Sequence, residues 1–421
     1  MQLILVIFFW SARNNSFGLF RGRRTATVNA VVVGGILLPH GDFALDPTFF
    51  ANGTIEGEAA NEVATGARNA GRWLMELVRQ KQSKDEPTIV LLMTPHGIKL
   101  DYDYGIYISS KGSGTATIGG DCTSFCGIHD TKKRLGQRSA NHCQHKPYNV
   151  TLENIDLAPT PLATDLLALL RQEKNHPVSG VYSYSDETPI PLNWGEIVPL
   201  LLLPPSATTS KNSRLLPLIW TFPYRRYNHS VEMVPELLQI GADIMEWAQQ
   251  RPEKIAIIVS GDLSHTHQPS GPYGYSAASA LFDEAIGVWA GGNTNIREQF
   301  DRSWDPCQPE AAHALLNRAK ELQPDAKSCG FTGYVLWHGM MCSPTLTNGS
   351  HAATARHHRT SSMGHGSSAV QRFDSKVFVN RNVTYYGMMG AVFEAKASSD
   401  DRSSRVENGM EKESYGVLEV A

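Results

Sequence analysis

Ile257-Ile258-Val259-Ser260-Gly261-Asp262-Leu263-Ser264-His265 reads as the end of a buried strand followed by small and polar residues at its C-terminal edge. In open α/β sheets that edge is where ligands and chemistry collect. Two more stretches have the same form, Ile36-Leu37-Leu38-Pro39-His40-Gly41-Asp42 and Ile89-Val90-Leu91-Leu92-Met93-Thr94-Pro95-His96-Gly97. A single histidine after a strand is ordinarily a core imidazole bonded to a backbone carbonyl. Three in the same position relative to three strands predict one shared constellation, with His40, His96 and His265 in a common cavity.

Outward from these strands the pattern alternates as α/β. Val28–Leu38, Thr88–Met93, Leu215–Phe222 and Lys254–Val259 are predicted strands, with Asp101–Ile108 and Val178–Tyr184 as further ones. Glu56–Gln82 is a helix because Ala59, Val63, Ala67, Ala70, Trp73, Leu74, Leu77 and Val78 share one face. Helices are also predicted over Pro161–Glu173, Ser230–Gln250, Ala277–Trp289 and Pro309–Leu322, and Gly330–Met341 is a packed apolar segment. Val377–Ala395 returns to strand-like composition.

The expected fold class is therefore α/β, one domain over 28–396 with a mostly parallel central sheet flanked by helices. Residues 109–150 and 343–370 interrupt the pattern with Gly, Ser, Thr and His, and are expected to be insertions that the fold can lose. The first holds Cys122, Cys126, His129, His142, Cys143 and His145, a spacing that leaves a zinc knot, a local disulfide and an unstructured loop open. Residues 1–27 form an N-terminal extension and 397–421 a charged, serine-rich disordered tail.

A length of 421 residues with 41% apolar and 19% charged residues describes a chain able to bury a full core. Its net charge of −3 offers no electrostatic case for nucleic acid or an anionic membrane. No run approaches the length of a spanning helix. Six cysteines are too few for a disulfide scaffold, so a reducing, cytoplasmic compartment is expected. The apolar Met1–Trp10 leaves a targeting signal open.

Several short motifs occur in one order: Pro39-His40-Gly41, Thr94-Pro95-His96-Gly97, Gly195-x-x-Val198-Pro199-Leu200, Ser260 to His265 followed by Gly271-Pro272-Tyr273-Gly274-Tyr275, and Cys329-Gly330. This order resembles the class III extradiol ring-cleavage dioxygenases, the superfamily of the protocatechuate 4,5-dioxygenase β subunit. Memo proteins share that fold. The resemblance covers about 28–342 and 377–395. It implies a non-heme Fe(II) site held by two histidines and a carboxylate, at which a catechol-like ring is cleaved with O₂. It places His40 and His96 as iron ligands, with His265 and Asp262 as catalytic residues, His265 exchanging protons with substrate. The implied partners are a small aromatic substrate and O₂, with a homodimer allowed.

Two departures matter. Where the dioxygenases offer a glutamate, this chain reads Pro324-Asp325-Ala326-Lys327-Ser328-Cys329-Gly330, so Asp325 is the nearest carboxylate for the third ligand. Memo proteins instead carry a cysteine at the position of Cys329, joined around a metal by an aspartate and a histidine like Asp262 and His265. That makes Cys329 the alternative ligand, and a metal-binding or redox protein with a protein partner the alternative function. A carboxylate favours iron and oxygen chemistry, whereas a thiolate favours copper or zinc. The second departure is Trp194, which stands where many relatives place a histidine. Trp194 and Tyr273 are expected to bind the substrate as aromatic walls.

Overall fold

Alternate residues of the central strands serve two different cores. In β2 (Thr88–Thr94), Ile89, Leu91 and Met93 face one cluster of buried side chains while Val90 and Leu92 face the other. A strand covered on both faces is apolar throughout, which is why β1 (Val32–Leu38), β2 and β9 (Ile255–Ser260) read as continuous hydrophobic runs. The computed structural model describes residues 32–81, 87–120, 145–185, 187–207, 215–292, 304–342 and 371–396.

Between β1 and β2 lie the short α1 (Asp42–Leu45) and the long α2 (Ile55–Lys81). Then come β3 (Tyr104–Tyr107), β4 (Lys111–Ile118), β5 (Tyr148–Asp156), α3 (Thr160–Ala168), β6 (Val178–Val181), β7 (Ile190–Leu192), α4 (Trp194–Leu201) and β8 (Leu215–Thr221). The short α5 (Arg226–His229) and α6 (Val234–Gln249) lead into β9. After it follow α7 (Ala278–Gly291), α8 (Pro309–His313), α9 (Lys320–Ala326), α10 (Phe331–Cys342), β10 (Arg372–Asn382) and β11 (Gly387–Lys396).

Eight strands form the main sheet in the order β10-β11-β1-β9-β2-β8-β3-β6. Its centre is parallel, with β1, β9, β2 and β8 running the same way, and β11 and β3 pair antiparallel at either side. The fold is thus α/β with a mostly parallel sheet flanked by helices, as expected. Residues of α3, α6, α7 and α10 fill one core, and residues of α2 and α4 fill the other. The histidine-bearing ends of β1, β9 and β2 lie side by side, because the three strands are neighbours with a common direction.

One expectation is corrected. Residues 109–150 are not wholly a surface insertion. β4 and β5 pair antiparallel, β4 pairs in parallel with β7, and this three-stranded sheet buries Ala116, Ile118, Leu152 and Ile155 in the core that α2 and α4 also fill. Alternation of small and β-branched residues in Lys111–Ile118 is enough to cover a core face even though the segment looks polar on average. Cys307 and Cys342 form a disulfide. Cys122, Cys126, His129, His142, Cys143, the segment 343–370, the extension 1–27 and the tail 397–421 lie outside the described residues. Among the described residues no helix is long and apolar enough to cross a membrane.

Candidate metal centre

The loops leaving β1, β2 and β9 bring His40, His96, Asp262 and His265 into one cavity of about 480 Å³. His40 and His96 meet edge to face with ring centroids 4.7 Å apart. Cys329 arrives from another direction. α9 ends where Lys327 takes the left-handed conformation, φ 55°, and the chain turns inward through Ser328 and Cys329 to begin α10 at Phe331. Here two glycines pass back to back. A Cβ on Gly261 would lie 2.5 Å from the Gly330 Cα, so only glycine allows the β9 loop and the α10 entry to touch. The Gly330 N–H donates to the Asp262 carbonyl (3.1 Å), locking that crossing.

The result is two overlapping groups of metal-ligating side chains. Ligand atoms of His40, His96 and Cys329 lie within 4.8 Å of one another, and so do those of Asp262, His265 and Cys329. Cys329 is common to both. Asp325 belongs to neither. It sits on the exposed face of α9, one turn before the chain bends inward, so the carboxylate nearest in sequence is not the one nearest in space.

Hydrogen bonds set which nitrogen of His40 faces the centre. The Ser260 hydroxyl donates to the Gly195 carbonyl (2.7 Å), so its oxygen is free to accept from His40 Nδ1 at 2.9 Å. Nδ1 therefore carries the proton, and Nε2 presents its lone pair towards Cys329 Sγ at 3.3 Å. Such a bond from the far nitrogen is the usual brace of a metal-ligating imidazole. Asp262 is engaged through Oδ1, which accepts from the backbone N–H of His40 (3.1 Å) and Gly41 (3.3 Å), while Oδ2 lies 3.4 Å from His40 Nε2. Two imidazole atoms, His96 Nδ1 and His265 Nε2, are buried without a hydrogen-bond partner. Orphaned buried nitrogens are costly unless something binds them, and an ion is what this donor set fits.

Electrostatics agree with that fit. Burial, followed by the charges of His265 and Arg226, holds His40 down to about 3. Burial and then Arg226 do the same to His265, also to about 3. His96 is held well below the usual imidazole range, chiefly by burial and then by His40. All three rings are neutral at pH 7 with lone pairs available. Burial and the Asp262 charge push the Cys329 thiol up, opposed by Arg226. In the metal-free site it stays protonated, and its S–H points to His40 Nε2.

The walls of the cavity are aromatic. Trp194, at the first turn of α4, stacks on His96 with centroids 4.7 Å apart and 28° between planes. Tyr273 stacks on His265 at 5.7 Å and 25°. Both are half-exposed at the mouth. Tyr385 and Tyr386, in the turn between β10 and β11, pack edge-on to His265 and also line the space. Neither was singled out as a site residue from sequence, where they pass for strand residues. Arg226 was also missed. It is buried, and its guanidinium donates to the Pro95 carbonyl (2.8 Å), bracing the residue before His96. No local pattern marks a lone arginine in a short helix. No protein-family model matches the sequence, and no curated protein is significantly similar to it.

Proposed function

We propose that the chain is a metal-binding protein whose ion is held by His40, His96 and Cys329, with Asp262 and His265 beside it, and that it serves in redox chemistry as a Memo-like protein rather than in iron-dependent ring cleavage. One observation carries this choice: the donor grouped with both His40 and His96 is the Cys329 sulfur, and the Asp325 carboxylate is on the surface. Two imidazoles and a thiolate are a soft set that suits copper or zinc better than Fe(II). When bound, such an ion supplies Lewis acidity or, for copper, a one-electron couple. The protein's own residues do the rest. Ser260 fixes the His40 tautomer, and Asp262 holds the His40–Gly41 backbone.

A second reading rests on the cavity itself. Trp194, Tyr273, Tyr385 and Tyr386 wall a space large enough for a small planar ring, and His265, with Nε2 uncommitted, is placed as an acid–base group. This is what supports a small aromatic ligand and, with O₂, the extradiol alternative. Metal analysis of anaerobically purified wild type, Cys329→Ser and Asp325→Asn separates the two. The thiolate site expects Asp325→Asn to keep its copper or zinc and Cys329→Ser to lose most of it. Iron in the wild type, lost in Asp325→Asn and kept in Cys329→Ser, would overturn it.

A further inference from the structure

At the far end of α10 from Cys329 there is a second sulfur centre that the metal site does not use. Cys342 is the last residue of α10 and is joined to Cys307, in the turn before α8. Twelve helical residues separate the two ends, about 18 Å at 1.5 Å per residue, so the centres are chemically independent. Both cysteines are half-buried, which leaves the bond open to a small thiol. One turn back along the helix, His338 Nδ1 lies 3.3 Å from Cys342 Sγ. The same nitrogen accepts from Trp289 Nε1 at 3.2 Å, so it is the unprotonated one, and a thiol at Cys342 would share its lone pair with the indole N–H. His338 itself is buried.

Other contacts also hold the segments around this bond. Trp304 ties the Cys307 segment down on its own: Trp304 Nε1 donates to the Trp289 carbonyl (3.1 Å), and Ser375 N donates to the Trp304 carbonyl (2.8 Å). A bond that is reachable, that has a neutral imidazole nitrogen against one of its sulfurs, and whose segments are held by other contacts is suited to opening and closing in the folded state.

We propose that Cys307–Cys342 is a redox-active disulfide that small thiols of the glutathione type reduce without unfolding the protein, with His338 receiving the Cys342 thiol. A thiolate attacks Cys307 Sγ, forming a mixed disulfide there and breaking the Cys307–Cys342 bond. Cys342 leaves with the electron pair, takes up a proton, and its S–H donates to His338 Nδ1. A second thiol resolves the mixed disulfide, leaving Cys307 as a thiol and releasing the oxidised thiol pair. Two external thiols are thus oxidised and two cysteines reduced. Structural disulfides resist the glutathione pool, whereas labile ones exchange with it.

The test equilibrates the full-length protein anaerobically in buffers of reduced and oxidised glutathione, quenches in acid, and quantifies the alkylated Cys307 and Cys342 peptides by mass spectrometry. The two should pass together and reversibly between disulfide and dithiol while the circular dichroism spectrum stays native. The reduction rate should fall about tenfold in His338→Leu, the worth of one hydrogen bond, and recover in His338→Asn, whose amide oxygen again accepts. A pair that stays linked until the chain unfolds, or that is found as free thiols in every buffer, overturns the proposal. The wild-type titration decides this even if a His338 variant fails to fold. Equal rates in wild type and His338→Leu would remove the role given to His338.

Discussion

Ser260 and Cys329 show how single atoms prepare the centre. Without the Ser260 oxygen, nothing holds the proton on His40 Nδ1, and the ring can present N–H instead of a lone pair to the ion. Ser260→Ala should therefore weaken copper or zinc binding by about 10–100-fold, the usual worth of a brace behind a ligating histidine. Competition against a chelator measures it, and an unchanged thermal midpoint separates the effect from misfolding. Cys329 imposes a pH dependence. Its pKa is raised, so binding must expel the thiol proton, and affinity should rise about tenfold per pH unit below that pKa. The histidines, already neutral, add nothing to this slope above about pH 5. Calorimetry in buffers of different ionisation enthalpy should count one proton released when wild type binds the ion, and a count of zero would refute a thiol donor.

At the scale of elements, α4 sets the wall beside His96. Its first residue is Trp194, and Glu196 Oε2 accepts from the Asn193 backbone N–H (3.0 Å) while Oε1 accepts from the Tyr107 hydroxyl (2.9 Å). Gly195 lets the helix start against the β2 loop, since a Cβ there would lie 2.8 Å from the His96 Cβ. Burial outweighs both hydrogen bonds and pushes Glu196 up to about 8. A raised carboxyl pKa means that the folded state holds the proton more tightly than the unfolded one. The stability this contributes is complete below the unfolded value and is lost as pH rises through about 8. Wild type should therefore lose stability between roughly pH 5 and 8, where Glu196→Gln stays flat. Denaturant unfolding across a pH series measures the difference, and parallel curves would refute a buried neutral glutamate.

For the whole molecule, the small β5-β4-β7 sheet is as much part of the fold as the main one. It covers α4 on the side of the cavity that holds Asp42, whose Oδ2 accepts from Gly119 N at 2.8 Å just past β4. Ile118 is fully buried there. Ile118→Ala should cost about 2–5 kcal/mol, the transfer and cavity terms for a buried aliphatic side chain, measured by chemical denaturation. A cost near zero would return this stretch to the status of a dispensable insertion.

The sequence by itself determined the α/β class, the positions of most strands and helices, and the convergence of His40, His96 and His265. Each depends on a local regularity: strand burial makes continuous apolar runs, helix faces repeat at 3.6 residues, and parallel neighbours place equivalent ends side by side. Trp194 and Tyr273 were legible for the same reason, being set by turns adjacent to those ends. That Cys329 and not Asp325 lies beside the histidines is a tertiary fact, because it turns on Lys327 ending α9 and on Gly261 meeting Gly330 from 69 residues away in the chain. Likewise Arg226, Tyr385, Tyr386, the second sheet and the Cys307–Cys342 bond come from contacts between segments distant in sequence. Their spacing along the chain carries no period, so no local pattern announces which of them will touch.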